Sequence, residues 1–221
     1  ASDVYKRQGH LLIGTYIGIQ MYDPATDNFT PLAKLEDTGE TLESNINSFI
    51  ERKNGEIWVS GNVLCKLDIK DHLLTVRKVD IAVTSPGSLF EDKKQNVWMA
   101  KGEEGVYQLT PDNQLTLHLS KDNGYVKSIC EDQRGNIYVG SIRKGLFIYD
   151  KERKTFVPVD LKEKGELPVC FLYSGIPNEL YIGTDGKGVA IYNIRTHEIS
   201  EYKFDNNYFD SGNSKIHSTL K

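Results

Sequence analysis

Only three cysteines, two methionines and two tryptophans occur among the 221 residues, and no uninterrupted apolar run approaches the roughly 18 residues a membrane helix needs. A membrane-spanning helix within these residues is therefore excluded. Cys65, Cys130 and Cys170 are odd in number and include no Cys-x-x-Cys pair, which rules out a full disulfide framework and argues against a zinc knuckle. All three fall in apolar stretches, where cysteine packs as a small hydrophobe. An excess of basic charge is also missing: 27 Lys and Arg face 31 Asp and Glu, for a formal net charge of -4 and a pI near 5.8. Nucleic acid and anionic membranes are poor partners for such a chain, because their phosphates demand a basic surface. Histidines 10, 72, 118, 197 and 217 are scattered with no ligand-like spacing, so no metal and no cofactor is expected. No glycine-rich segment leads into a helical pattern, which leaves a phosphate loop without support.

What the sequence does contain is repetition. A short apolar strand returns five times, as LLIGT (Leu11 to Thr15), IWVSG (Ile57 to Gly61), VWMAK (Val97 to Lys101), IYVGS (Ile137 to Ser141) and LYIGT (Leu180 to Thr184). The steps from Leu12 through Trp58, Trp98 and Tyr138 to Tyr181 are 46, 40, 40 and 43 residues. The clearest copy divides into four strands. VKSICED (Val126 to Asp132) is strand A, IYVGS is strand B, GLFIYD (Gly145 to Asp150) is strand C and TFVPVD (Thr155 to Asp160) is strand D. Four strands in a period of about 40 to 45 residues is the pattern of a propeller blade. In strand C, Leu146 and Ile148 are apolar on one face and Phe147 and Tyr149 on the other. That predicts a sheet covered on both sides by neighbouring blades.

The expected fold is thus all-β, a β-propeller of four-stranded antiparallel blades with about five blades present. Blades fall at roughly 9–33, 46–79, 86–120, 126–160 and 168–204, with the start of another at 214–221. Residues 1–8 (ASDVYKRQ) match no strand A copy and read as an artefactual leader before a partial propeller spanning 9–221, whose first blade would then lack its strand A. Cut repeats at both ends favour a fragment of a larger array. The alternative is that Lys215 to Lys221 pairs with the first blade and closes a ring of five. Ser48, Ser88, Ser128 and Ser218 share one slot of strand A, taken by Cys170 in the remaining copy, where crowding near the axis favours a small side chain.

The motif I-x-S-I-x-E-D-x-x-G-N-I-Y-V-G, followed by G-L-x-x-Y-D and a later Phe, resembles the two-component regulator propeller repeat. The resemblance is closest over Ile129 to Phe156 and over LIGTYIGIQMYDPATDNF (Leu12 to Phe29), and extends over about residues 9–221. Blade 2 departs from it at VSGNVLCKLD, and blade 5 lacks the acidic pair in PVCFLYSGIPNE. The resemblance implies a periplasmic sensor region of a hybrid two-component histidine kinase. The rest of the kinase would follow in the same polypeptide, and an oligosaccharide would be the ligand. No kinase element lies in these residues, so the chain would sense or relay without catalysing.

Other readings stay open. A generic propeller platform for a protein partner, or for a second copy as a homodimer, fits the same repeats. An enzyme of the lyase, lactonase or glycosidase type rests on fold analogy alone. The Ser-x-Asp-x-Gly-x-Thr-Trp box of sialidases is absent, and the Glu91-Asp92 and Glu131-Asp132 pairs recur blade by blade. That recurrence suits solvated, turn-stabilising residues better than a single acid/base pair. Recognition is expected where the copies differ, in the B-to-C and D-to-A loops. Candidate ligand-binding residues are Tyr16, Asn62, Lys101, Glu103, Arg143, Lys144, Asp185 and Lys187. Asn206, Asn207 and Tyr208 join them from the long connection 205–213; the other long connection is 34–45.

Overall fold

The short β-branched and aromatic runs form strands, and no helix occurs among the described residues. The computed structural model describes residues 3–7, 10–119, 124–161 and 167–201. These residues divide into two units, one up to residue 91 and one from residue 92. Both are built mainly from antiparallel strands linked in sequence order, the meander of a propeller blade.

In the first unit, β1 (Asp3–Arg7), β2 (His10–Gly14), β3 (Ile19–Asp23) and β4 (Asn28–Phe29) form one four-stranded sheet in that order. The leader set apart on sequence grounds therefore supplies a strand A. Asp3 pairs with Gly14 and Arg7 with His10, and such pairing needs only an extended backbone beside an open edge. The second sheet contains β6 (Ser48–Glu51), β7 (Ile57–Ser60), β8 (Leu64–Lys70) and β9 (Leu73–Lys78). It gains a fifth member from the connection 34–45: β5 (Lys34–Leu35) runs parallel to β9, with Lys34 opposite Thr75. Expected as loop alone, this segment instead caps the outer edge of the sheet. Leu12, Ile19, Met21, Phe49, Ile57 and Val59 are among the buried residues of a shared core. β10 (Leu89–Glu91) completes the unit; its Leu89 N–H donates to Ser48 Oγ at 3.4 Å.

The second unit holds β11 (Val97–Lys101), β12 (Gly105–Leu109) and β13 (Leu115–Leu119), then two complete sheets. One is β14 (Val126–Glu131), β15 (Ile137–Ser141), β16 (Gly145–Asp150) and β17 (Thr155–Pro158). The other is β18 (Val169–Tyr173), β19 (Glu179–Thr184), β20 (Val189–Asn193) and β21 (Ile199–Glu201). β15 and β16 match the strands expected from sequence residue for residue. The two apolar faces of β16 have separate destinations. Leu146 and Ile148 join Val169, Leu180, Ile182 and Tyr192 in one core, while Tyr149 meets Trp98 edge-on at 5.2 Å. Gly140 stands where a Cβ would collide with Val169, so the close approach of β15 to β18 requires glycine.

The repeated strand A serine does more than save space. Ser128 Oγ accepts a hydrogen bond from Leu172 N at 2.9 Å, linking β14 to β18. The strand beginning expected at 214–221 lies outside the described residues.

Candidate functional site

In the second unit, the loops between β11 and β12 and between β15 and β16 bring four of the sequence candidates to one place. Glu104 N donates to Lys101 O at 2.8 Å and closes the first loop through Gly102 at φ 45°. In the second, Lys144 N donates to Ser141 Oγ at 3.2 Å. Arg143 Nη1 reaches Glu103 Oε1 at 2.9 Å, and both side chains stay well exposed at 65% and 62%. Lys101 Nζ pairs with Glu104 Oε1 at 2.8 Å. Glu104 Oε2 also accepts from Tyr107 Oη at 3.3 Å, and burial together with this carboxylate pushes the Tyr107 phenol up. An exposed ion pair contributes roughly 0–1 kcal/mol to stability, so its donors and acceptors can turn to a ligand at small cost.

Between these loops stands Tyr125, which the sequence reading passed over. Its carbonyl accepts from Ile142 N at 2.9 Å, and the next residue, Val126, donates its N–H to Gly102 O at 2.9 Å. The backbone just before β14 is thereby tied to both loops. A Cβ on Gly102 would lie 3.0 Å from the Tyr125 ring, so the ring rests on glycine backbone, and the residue is 41% exposed. The preceding residue, Gly124, at φ 74°, packs against the second loop, where a Cβ would lie 3.0 Å from Arg143 Cβ. The segment 124–126 thus contacts both loops, those that carry Glu103 and Arg143. A search by loop length misses it, because this connection is shorter than those at 34–45 and 205–213. An aromatic residue directly before strand A and after a glycine was the available signal.

The remaining described candidates lie on other loops. Asp185 and Lys187 are exposed in the β19–β20 loop, where Thr184 Oγ1 donates to Gly188 O at 2.8 Å and accepts from Lys187 N at 3.0 Å. In the first unit Tyr16 is 80% exposed on a turn held by Thr15 Oγ1 and Gly18 O at 3.0 Å. Asn62 N donates to Ser44 Oγ at 2.9 Å. Asn206, Asn207 and Tyr208 lie outside the described residues.

The recurring carboxylates have structural work, and the expectation that they are solvated is corrected. Asp92 and Asp132 are 5% and 3% exposed. Asp132 Oδ1 accepts from the N–H groups of Arg134 and Asn136, and Oδ2 accepts from Asn136 Nδ2 at 2.8 Å. These carboxylates are engaged in closing their own hairpins. The neighbouring glutamate bonds to the hairpin of the preceding repeat: Glu91 Oε1 takes Arg52 Nε at 2.9 Å, and Oε2 takes Lys53 N at 2.6 Å. All three cysteines are buried, and burial pushes the Cys65 thiol up to about 11.

A cleft of about 900 Å³ in the first unit is lined by Glu36, Asn54, Glu56, Lys66, Asp68 and Arg77, among others, and by none of the sequence candidates. Its charges are internally engaged, with Lys66 Nζ 2.6 Å from Glu56 Oε1 and Arg77 Nε 3.9 Å from Glu36 Oε2. Burial pushes the Glu56 carboxyl up, but hydrogen bonds from Lys66, Trp58 and Asn54 outweigh it and hold the group at about 2 against an ordinary 4.5. The stabilisation is therefore present above pH about 4.5 and lost as pH falls toward about 2. Solvent screening at this half-exposed site reduces it to about 1 kcal/mol. Urea midpoints followed from pH 5 to pH 2.5 should fall less steeply in Glu56→Gln than in the parent protein.

The family model described as two component regulator propeller matches residues 120–143, the stretch that carries both Tyr125 and Arg143. No curated protein matches the chain in sequence. Two solved structures of an extracellular domain from B. thetaiotaomicron, described as a one component and as a hybrid two component system, are similar in fold. They are 16% and 20% identical with TM-scores of 0.69 and 0.67, over 91% and 85% of this chain. This chain spans only 28% and 26% of their length. A virginiamycin B lyase from Staphylococcus aureus is 12% identical with a TM-score of 0.69, over 97% of this chain and 73% of the lyase. At these identities the likeness is one of propeller fold.

Proposed function

We propose that the chain is a non-catalytic, ligand-sensing segment of a bacterial two-component receptor, on the ground that residues 120–143 match the two component regulator propeller. It faces the periplasm, and the rest of the sensor kinase belongs to the same polypeptide. It recognises an oligosaccharide or passes on the binding of one. The observation that carries this reading is the family match at 120–143, which falls on the stretch supplying an exposed aromatic ring and a guanidinium. Aromatic faces stack on the C–H surfaces of sugars, and flanking carboxylate and guanidinium groups suit hydroxyls. The occupied carboxylates of the A-to-B hairpins favour sensing over hydrolysis or elimination.

Two measurements test the reading. The complete coding sequence is expected to continue into a membrane helix and a histidine kinase; a reading frame encoding neither overturns it. Calorimetric titration with plant and host-glycan oligosaccharides should give saturable binding without turnover. Heat from turnover, or products on chromatography, would move the protein among the enzymes.

A further inference from the structure

We propose that the segment 214–218 docks on the open face of the β18–β21 sheet, with the Ile216 side chain against Gly183. Register defines that face. Phe171 pairs with Gly183 and Gly183 with Val189, while Tyr173 pairs with Tyr181 and Tyr181 with Ile191. In the β14–β17 sheet the same places belong to Ser128, Gly140 and Leu146, and to Cys130, Tyr138 and Ile148. There the next repeat covers them: Cys130, Tyr138 and Leu146 are buried in one core with Val169, Leu172 and Ile182. None of the counterparts in the β18–β21 sheet belongs to that core. Tyr173 is 39% exposed, and Phe171, Tyr181, Val189 and Ile191 are half-buried. A sheet apolar on both faces, with one of them open, calls for a further layer.

The way successive repeats lock identifies the layer. A Cβ on Gly140 would collide with Val169, and one on Gly14 with Ile46, each from the following repeat. Neither glycine has a positive φ, and nor does Gly183, which holds the same place in its strand. A close neighbour, and not the backbone, therefore demands glycine there. The locking side chain stands two residues before the serine place of strand A, as Ile46 does before Ser48. Ile216-His217-Ser218 repeats the order of Ile46-Asn47-Ser48 and Val126-Lys127-Ser128, in which the outer residues are buried and the middle one exposed. In β18 the residue opposite the glycine is Phe171, so the serine place falls there and not on Cys170 as expected from sequence. Ser128 Oγ accepts the Leu172 N–H of the next repeat; Phe171 has no hydroxyl to offer. Apolar burial takes over at this junction, which makes it sensitive to the character of residue 216.

Hydrogen exchange of the full chain, read by mass spectrometry, should be slowed at 215–218. Ile216→Asp should remove that protection and lower Tm by about 6–10 °C, because an unpaired charge is excluded from an apolar notch. Ile216→Val installs the residue that Val126 and Val169 supply at the same place. It should keep the protection and melt within about 3 °C of the parent. Free exchange at 215–218 in the parent overturns the docking, and this readout holds even where Ile216→Asp fails to fold. An Ile216→Asp variant that melts and exchanges like the parent overturns it too. So does a parent that sediments as a dimer while Ile216→Asp sediments as a monomer, since the segment would then sit on a second copy.

Discussion

Asp92→Ala should lower the stability of the protein by about 3–4 kcal/mol, one of the two largest single-site losses anticipated. The carboxylate accepts four hydrogen bonds: Lys94 N and Asn96 N at 2.8 and 2.9 Å on Oδ1, and Asn96 Nδ2 and Trp98 Nε1, both at 2.8 Å, on Oδ2. The residue is buried, so alanine leaves the buried Asn96 and Trp98 donors without acceptor or water, and each such donor costs about 1–3 kcal/mol before relaxation. Asp92→Asn should recover only part of the loss, because one oxygen becomes an NH2 group facing N–H donors. The variant should still fold. The corresponding hairpin at 52–56 closes with the same main-chain bonds, Arg52 N to Glu56 O and Gly55 N to Arg52 O, both 2.8 Å, and has no aspartate. Guanidinium denaturation of the parent, Asp92→Ala and Asp92→Asn would show the order; a loss below 1 kcal/mol for alanine would mean that the hairpin does not depend on its carboxylate.

That comparison also shows which features could be read from sequence and which could not. Strands β15 and β16 were visible because alternating β-branched and aromatic residues between turn residues leave little choice. Glu51-Arg52 stands where Glu91-Asp92 stands in the next repeat, and Glu56 takes the place of Asn96. The carboxylate thus moves from the first position to the second: Arg52 Nη1 lies 3.6 Å from Glu56 Oε2, which accepts Trp58 Nε1 at 3.0 Å. Sequence displays the exchange but not its meaning, which depends on which atoms converge. The same limit applies to Ser128, whose small size was legible and whose bond to Leu172 was not. β1 and β5 escaped notice for another reason. Both join through backbone pairing at an edge, which leaves little imprint on side-chain pattern.

The candidate site was half legible. Glu103 and Arg143 were found because their loops differ between repeats, and the structure joins them. Their aromatic neighbour was not, because Tyr125 belongs to a connection whose length is unexceptional. Its placement comes from main-chain bonds to two loops from distant parts of the sequence.

Trp98→Ala is the companion loss, about 3–5 kcal/mol, because it opens a cavity that rigid strands cannot close. The indole sits among rings from successive repeats, with centroids 5.3 Å from His118, 5.2 Å from Tyr149 and 5.9 Å from Phe156. Tyr149 and Phe156 also contact each other at 5.2 Å, so removing Trp98 takes away a common partner. Trp98→Phe separates the contributions. It keeps much of the ring packing but strands Asp92 Oδ2 without the indole N–H, a loss near 1 kcal/mol. Because Trp98 and Asp92 share that bond, the double alanine variant should lose less than the two single losses combined. His118 offers an independent readout. Burial holds its pKa below the ordinary value against a hydrogen bond with the Lys154 carbonyl. Opening the cavity admits water, so in Trp98→Ala the imidazole should titrate at higher pH than in the parent, measurable by NMR. An unmoved His118 titration, with stability retained, would show that the aromatic cluster does not hold these two repeats together.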